Sequence, residues 1–377
     1  MGTLSMAASY LPALRITSFI GGKYSLRRKV SDASTGMLRP IISFSTQYIP
    51  VMTTIADAFV SIAFVKSIHN TFRDPKLGHG TRHFLAAVTK VTVFGHAIKD
   101  TMAVGDRCGA QGLLQANQLN TFIVCVVLCL SLSRSLIRSF IQGDVRGAGI
   151  AEGDIVAISI RFAIDLALGR VTPPRSNNPA SRLACHEAAL ISQLRSRLYS
   201  GQGSSKEASG SHRKRQIEAT ILPLCVPLMQ AIGHRMAYDA AIAASIDPTL
   251  IDIYLASAIL SDPAWYSEAN DPTVHLSGAE QLEMQLDACT RGVARLEEWL
   301  DKLEVEPYVI APIVSEEKWD AYELTLEMFG GSQNAGIELG DGTYLGELDI
   351  GMAIEGSWQS TTRSLRHLQS GPMTAKL

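Results

Sequence analysis

Ile150-Ala151-Glu152-Gly153-Asp154-Ile155-Val156 opens a helix over residues 155–168 that is apolar on most sides. Arg161 and Asp165 are its only charges before Gly169 ends it. A helix of that composition belongs inside a bundle or at a contact between two copies. Glu152 stands at its entrance, and Asp154 follows where an acid suits the N-terminal dipole. A carboxylate held there can accept a proton if burial brings its pKa towards working pH. Upstream, Cys108-Gly109-Ala110-Gln111-Gly112 makes a glycine turn at the end of another helix. The expectation is that this turn and Glu152 lie close together in space.

Outward from that stretch the chain is helical. Residues 9–30 form a first amphipathic helix, with Lys23, Arg27, Arg28 and Lys29 gathered at its C-terminal end, where cations suit the dipole. Residues 46–71 form a second, with Ile55, Phe59 and Ile62 on one face, and 81–104 a third, with Phe84, Val88 and Val91 on one face. Together with 155–168 they supply an antiparallel four-helix bundle. A second helical region follows over 186–198, 216–245 (perturbed at Pro223 and Pro227), 249–260, 278–303 and 316–329. Ser277 with Glu280 reads as a capping box. Residues 200–215 read as a mobile, solvated loop, although His212-Arg213-Lys214-Arg215 imitates a nuclear address. The Gly-rich stretch 330–356 reads as a hairpin or a disordered tail. The fold class is therefore all-α, with a bundle over 9–170, a second helical domain over 171–329 and a tail over 330–377.

Hydrophobic residues make up 46% of the 377-residue chain and charged ones 19%, which is globular composition. The net charge of −2 gives no global argument for nucleic acid or an anionic membrane. Six cysteines show no CxxC pairing and sit in apolar contexts, so buried reduced thiols are expected and no metal motif is read. The apolar run 122–132 is shorter than the ~20 residues that cross a bilayer, so no membrane span is expected. No signal peptide is read at the N-terminus.

The order and spacing of Tyr24-Ser25-Leu26-Arg27-Arg28-Lys29, Cys108-Gly109-Ala110-Gln111-Gly112 and Glu152-Gly153-Asp154 resemble the C-terminal half of the acyl-CoA dehydrogenase and acyl-CoA oxidase family. The resemblance covers residues 9–329. It implies an FAD-dependent oxidoreductase that desaturates an acyl-CoA thioester at its α,β-bond, with Glu152 as the base that removes the α-proton. It implies FAD contacts from Gly109, Ala110 and Gly112, whose family counterpart is Cys-Gly-Gly-x-Gly, and from Asp154 near the flavin. Arg28 matches an arginine that reaches the FAD of the neighbouring subunit, and Gln47 a glutamine that meets its adenine side. A homodimer sharing FAD sites follows from the same resemblance.

The chain most resembles fungal members, including those of secondary-metabolite and host-selective toxin pathways, which implies a fatty or polyketide-like acyl group. Its last residues, Ala375-Lys376-Leu377, resemble the Ser-Lys-Leu address read by the peroxisomal import receptor. Three features depart from the family. Ala110 replaces a glycine, Val30-Ser31-Asp32 replaces the usual residues after the arginine, and 123–144 reads as an insertion, either a retained intron or a lineage-specific loop. The helical and β-domains that precede this half in relatives are not found before residue 9. A truncated, non-catalytic subunit acting through helical dimer contacts is therefore the rival reading.

Overall fold

Residues 45–72 form one long helix, because their apolar side chains find cover on all sides. The structure, a computed structural model, describes residues 2–32, 35–119, 152–200, 215–326, 337–338 and 344–345. The chain divides into two units, 1–321 and 322–377. In the first, α1 (Gly2–Ala8) and α2 (Leu11–Arg27) precede a hairpin of β1 (Lys29–Ser31) and β2 (Leu38–Pro40). The hairpin is antiparallel, with Val30 opposite Arg39. Then come α3 (Ser45–Phe72), α4 (His79–Arg107), the short α5 (Ala110–Leu113) and α6 (Ile155–Ala167).

The second half of this unit holds α7 (Arg182–Ser200), α8 (Arg215–Ala243), α9 (Pro248–Ile259), α10 (Pro263–Glu268), α11 (Gly278–Val293) and α12 (Leu296–Lys302). Last comes α13 (Glu316–Glu323). In the second unit, β3 (Ile337–Glu338) pairs antiparallel with β4 (Tyr344–Leu345), which is the hairpin option for that stretch.

The fold is all-α. Helices α2, α3 and α4 pack on one another, α1 lies on α4, and α8 packs against α3, α4, α6 and α7. α9 and α11 cover the other side of α3. The core is continuous through Phe64, Phe84, Phe94, Tyr254 and Trp299, all fully buried. No break therefore falls at residue 170: the two helical regions pack together as one unit. α3 is long and apolar enough to cross a membrane, but most of that stretch is buried inside this unit.

Four local readings need correction. The helix expected over 9–30 is shorter, Leu11–Arg27: it starts with Pro12 in its first turn, where the missing N–H costs nothing, and gives way to β1 at Lys29. Pro223 and Pro227 do not interrupt α8, whose packing against five other helices outweighs the lost ladder bonds. The helix expected over 278–303 breaks at Ala294 and Arg295 into α11 and α12. α6 is not enclosed: Val156 is exposed, and only one face, through Ser159, Phe162, Ala163 and Leu166, is buried. The insertion at 123–144, the run 122–132, the loop 201–214 and Ala375-Lys376-Leu377 lie outside the described residues.

Candidate functional site

The sequence-predicted residues fall into two groups. The first gathers where α2 ends, α3 begins and α4 ends. Gln47, in the first turn of α3 and 8% exposed, donates its side-chain amide to Ser25 Oγ at 2.8 Å and to the Arg107 carbonyl at 3.4 Å. One side chain thus ties three helix ends. Arg28 caps α2: its N–H donates to the Tyr24 carbonyl at 2.8 Å, and its own carbonyl accepts from Ile41 N at 2.8 Å. That clamp turns the chain into the β-hairpin and leaves Arg28 and Lys29 exposed. Burial raises the Tyr24 phenol, with the neighbouring Cys108 adding to the shift and Arg28 and Arg27 opposing it.

The glycine turn completes this group. Gly109 has φ 60° and ψ −140°, a backbone conformation open to glycine and strained for any L side chain. Gly112 is buried, and a Cβ there would come within 2.1 Å of the Gly105 carbonyl oxygen. Its lack of a side chain is demanded by the protein's own backbone. Ala110 is exposed at the start of α5, so the methyl group that replaces the family's glycine meets solvent. Cys108 is buried, and burial pushes its thiol up to about 12, so it is not a nucleophile.

Beyond the turn, Asn117 Nδ2 donates to Gln111 Oε1 at 2.9 Å, and Asn117 Oδ1 accepts from Ile313 N at 3.2 Å. Gln118 Oε1 accepts from Ile310 N at 2.8 Å. These two side chains hold residues 310–313 against the turn.

The second group lies elsewhere. Glu152 has φ 56°, an uncommon left-handed conformation for a residue with a Cβ, and Gly153 follows at φ 105°. Asp154 is the N-cap of α6, its Oδ1 accepting from Val156 N at 2.9 Å and Ala157 N at 3.0 Å. Lys90, buried within α4, donates to the Gly153 carbonyl at 2.6 Å. Burial lowers the Lys90 pKa, opposed by the charges of Asp154 and Glu152. The Glu152 carboxylate lies over Gly2, where an added Cβ would meet Oε2 at 2.5 Å.

The expected convergence within one chain does not occur. Lys90 precedes Cys108, the C-cap of α4, by 18 residues of one uninterrupted helix, about 27 Å along its axis at ~1.5 Å per residue. Glu152 sits beside Lys90, far from the turn and from Arg28. Glu152 is also exposed, so this chain alone does not supply the burial expected of a base.

The sequence reading missed a buried polar cluster. Asp57, the only charged residue between Ser45 and Val65, is fully buried on α3. It faces His96, Lys99 and Asp100 of α4. Burial and the charge of Asp57 push Asp100 well above the ordinary carboxylate range. Burial would raise Asp57 too, but His96 and Lys99 override it and hold it low. The signal was an isolated acid in an apolar helix together with His96-x-x-Lys99-Asp100 on one helical face.

No protein-family model matches the chain, and no curated protein sequence matches it. Solved structures do. Acyl-CoA oxidase 1 of Arabidopsis thaliana is 15% identical with a TM-score of 0.65, the match covering 86% of this chain and 53% of that one. Acyl-CoA oxidase 1 of Yarrowia lipolytica is 12% identical with a TM-score of 0.68, covering 100% of this chain and 58% of that one. Acyl-CoA oxidase 2 of Caenorhabditis elegans, solved with FAD, ascaroside-CoA and ATP, is 10% identical with a TM-score of 0.67, covering 100% and 57%. The chain spans little more than half the length of these proteins. It has the all-helical fold of the C-terminal half of the acyl-CoA oxidases.

Proposed function

We propose that the chain is the helical half of an FAD-dependent acyl-CoA oxidoreductase that removes the α- and β-hydrogens of an acyl-CoA thioester. The observation that carries this reading is the glycine turn. Gly109 holds a backbone conformation only glycine takes easily, beside Gln47 and an exposed Arg28–Lys29 pair, on the fold of an acyl-CoA oxidase. An open glycine backbone next to an exposed guanidinium fits the pyrophosphate of a dinucleotide. Lys90, Thr3 and the Asp154 cap hold the Glu152 loop in its strained form, as sites of chemistry often are.

FAD, when bound, supplies the acceptor for the β-hydride. Glu152 of this chain takes the α-proton on its carboxylate, and Asp154 keeps that loop in place. Because Glu152 and the turn are far apart, Arg28, Gln47 and Gly109 to Gly112 serve the flavin nucleotide of a second copy, which makes the working unit a homodimer. The acyl group is fatty or polyketide-like, as in fungal secondary-metabolite or toxin pathways. Ala375-Lys376-Leu377 directs the protein to the peroxisome, where oxygen takes the electrons.

The exposure of Glu152 favours a second reading, a non-catalytic dimerisation subunit. Equilibrium dialysis against FAD, with sedimentation, separates the two. A dimer that binds FAD, about tenfold more weakly when Arg28→Ala removes one charge-assisted contact, supports the enzyme. A dimer that binds no FAD supports the subunit, and a monomer without FAD overturns both.

A further inference from the structure

Midway along the bundle, four helices bring polar side chains into an otherwise apolar interior. α3 contributes Asp57, and α4 contributes His96 and Asp100, one turn apart on the same face. Their exposures are 0%, 6% and 1%. One oxygen or nitrogen from each lies within 4.8 Å of the others. His96 Nδ1 is 2.9 Å from Asp57 Oδ2. The rings of His234 (α8) and Tyr254 (α9) close the far side, their centroids 5.3 Å and 5.6 Å from that of His96.

The cluster is under-occupied. Among the described residues His96 Nε2 and the Tyr254 hydroxyl are buried without a hydrogen-bond partner, and the carboxyl groups of Asp57 and Asp100 have only each other, His96 Nδ1 and Lys99. Each such atom costs about 1–3 kcal/mol when nothing takes the place of water. The nearest cation is Lys99, whose ammonium is 3.6 Å from Asp57 Oδ2 and 3.7 Å from Asp100 Oδ1 and donates to Ser257 Oγ at 3.3 Å. Its side chain is 54% exposed, so it enters from the surface and can leave the same way. It brings one positive charge to two carboxyl groups and cannot reach all the unpaired atoms with one nitrogen.

We infer that Asp57, His96 and Asp100 form a binding site for one divalent transition-metal ion, of the Zn2+ or Mn2+ class, which displaces the Lys99 ammonium. Two charges on the ion match two carboxylates once it displaces the proton that burial and the charge of Asp57 keep on Asp100, and the lysine head returns to solvent. One imidazole with two carboxylates suits these ions, whereas calcium and magnesium take oxygen donors almost alone. Helix bundles commonly build metal sites in this way, from side chains that face inward on neighbouring helices. The ion braces α3 against α4 in the stretch between the Glu152 loop and the glycine turn. It lies among side chains that the proposed desaturation does not use.

The test is calorimetric titration of ZnCl2, and separately MnCl2, into the full-length, chelator-treated chain. His79 and His83 stack with ring centroids 4.2 Å apart near the start of α4 and would take zinc themselves, so His79→Ala/His83→Ala is the background. One equivalent is expected to bind. His96→Gln should weaken binding at least about tenfold, as loss of one ligand does, and Lys99→Met should tighten it by about as much. Lys99 is exposed and its replacement keeps the fold, which circular dichroism checks. Stoichiometric binding is overturned if the folded Lys99→Met chain takes up neither ion, or if folded His96→Gln and Asp100→Asn chains bind as the parent does. A crystal structure soaked in either ion that shows only water among the three residues overturns it as well.

Discussion

The ammonium of Lys90 donates to the carbonyl of Gly153 at 2.6 Å, so a buried residue of α4 holds the loop that carries Glu152. A charge-assisted bond of this kind contributes about 1.5–3 kcal/mol. Lys90→Met keeps the apolar stem and removes the donor. It is expected to lower the free energy of unfolding in urea by that amount, and to raise amide exchange at residues 152–154. A variant as stable as the parent would show that the loop is held by other contacts.

Asp154 acts on the backbone of α6, as the cap geometry requires. Asp154→Ala should therefore cost about 0.5–2 kcal/mol, while Asp154→Asn, which also caps well, should cost little. Thermal denaturation of the two variants decides this. If the asparagine variant loses as much as the alanine one, the charge of Asp154 contributes beyond capping, through its attraction to the Lys90 ammonium.

The three glycines at the end of α4 should respond differently to alanine. At Gly112 the new methyl would sit 2.1 Å from a backbone oxygen, so the turn must open, and the melting temperature should fall furthest. Gly109→Ala meets no atom but must hold φ 60°, a strain of about 1–2 kcal/mol. Gly105 lies inside α4 with open space at its Cβ position, and alanine there should stabilise by up to ~1 kcal/mol. Any other ranking would mean the turn is not built as described.

Acid should act through His186. Burial lowers its pKa below the ordinary 6.5, although Asp262, 3.0 Å away, opposes the shift. The unfolded chain then takes up a proton that the folded chain refuses. The contribution of neutral His186 is complete above the unfolded value and is lost as pH falls from there towards the folded one. Between about pH 7 and about pH 5 the parent should lose more stability in urea than His186→Gln does. Parallel curves would remove His186 from the acid response.

Periodicity and punctuation were enough to read α3, α4 and α6 to within a few residues, because each is bounded by residues that stop a helix: Asp74-Pro75, Gly105 to Gly109, and Gly169. The Ser277–Glu280 capping box forms with both of its bonds. Prolines misled where tertiary packing decides, as in α8. Gly109 and Gly112 stand in one turn, as their spacing reads. The expected approach of Glu152 to that turn does not occur within one chain, since local pattern carries no information about distance along α4. The Asp57 cluster was hidden for a related reason: its members are spread over α3, α4, α8 and α9, and only folding makes them neighbours.

Asn117 and Gln118 grip the backbone at Ile313 and Ile310, nearly two hundred residues further on. The glycine bend is therefore propped from outside by a strut that arrives late in synthesis. Until the ribosome has delivered that strut, the bend rests only on Gln47 and on its own bonds to Asn117. A nick or an inserted tag near residue 310 would be felt first at the opposite end of the chain's primary order, in the geometry around Cys108.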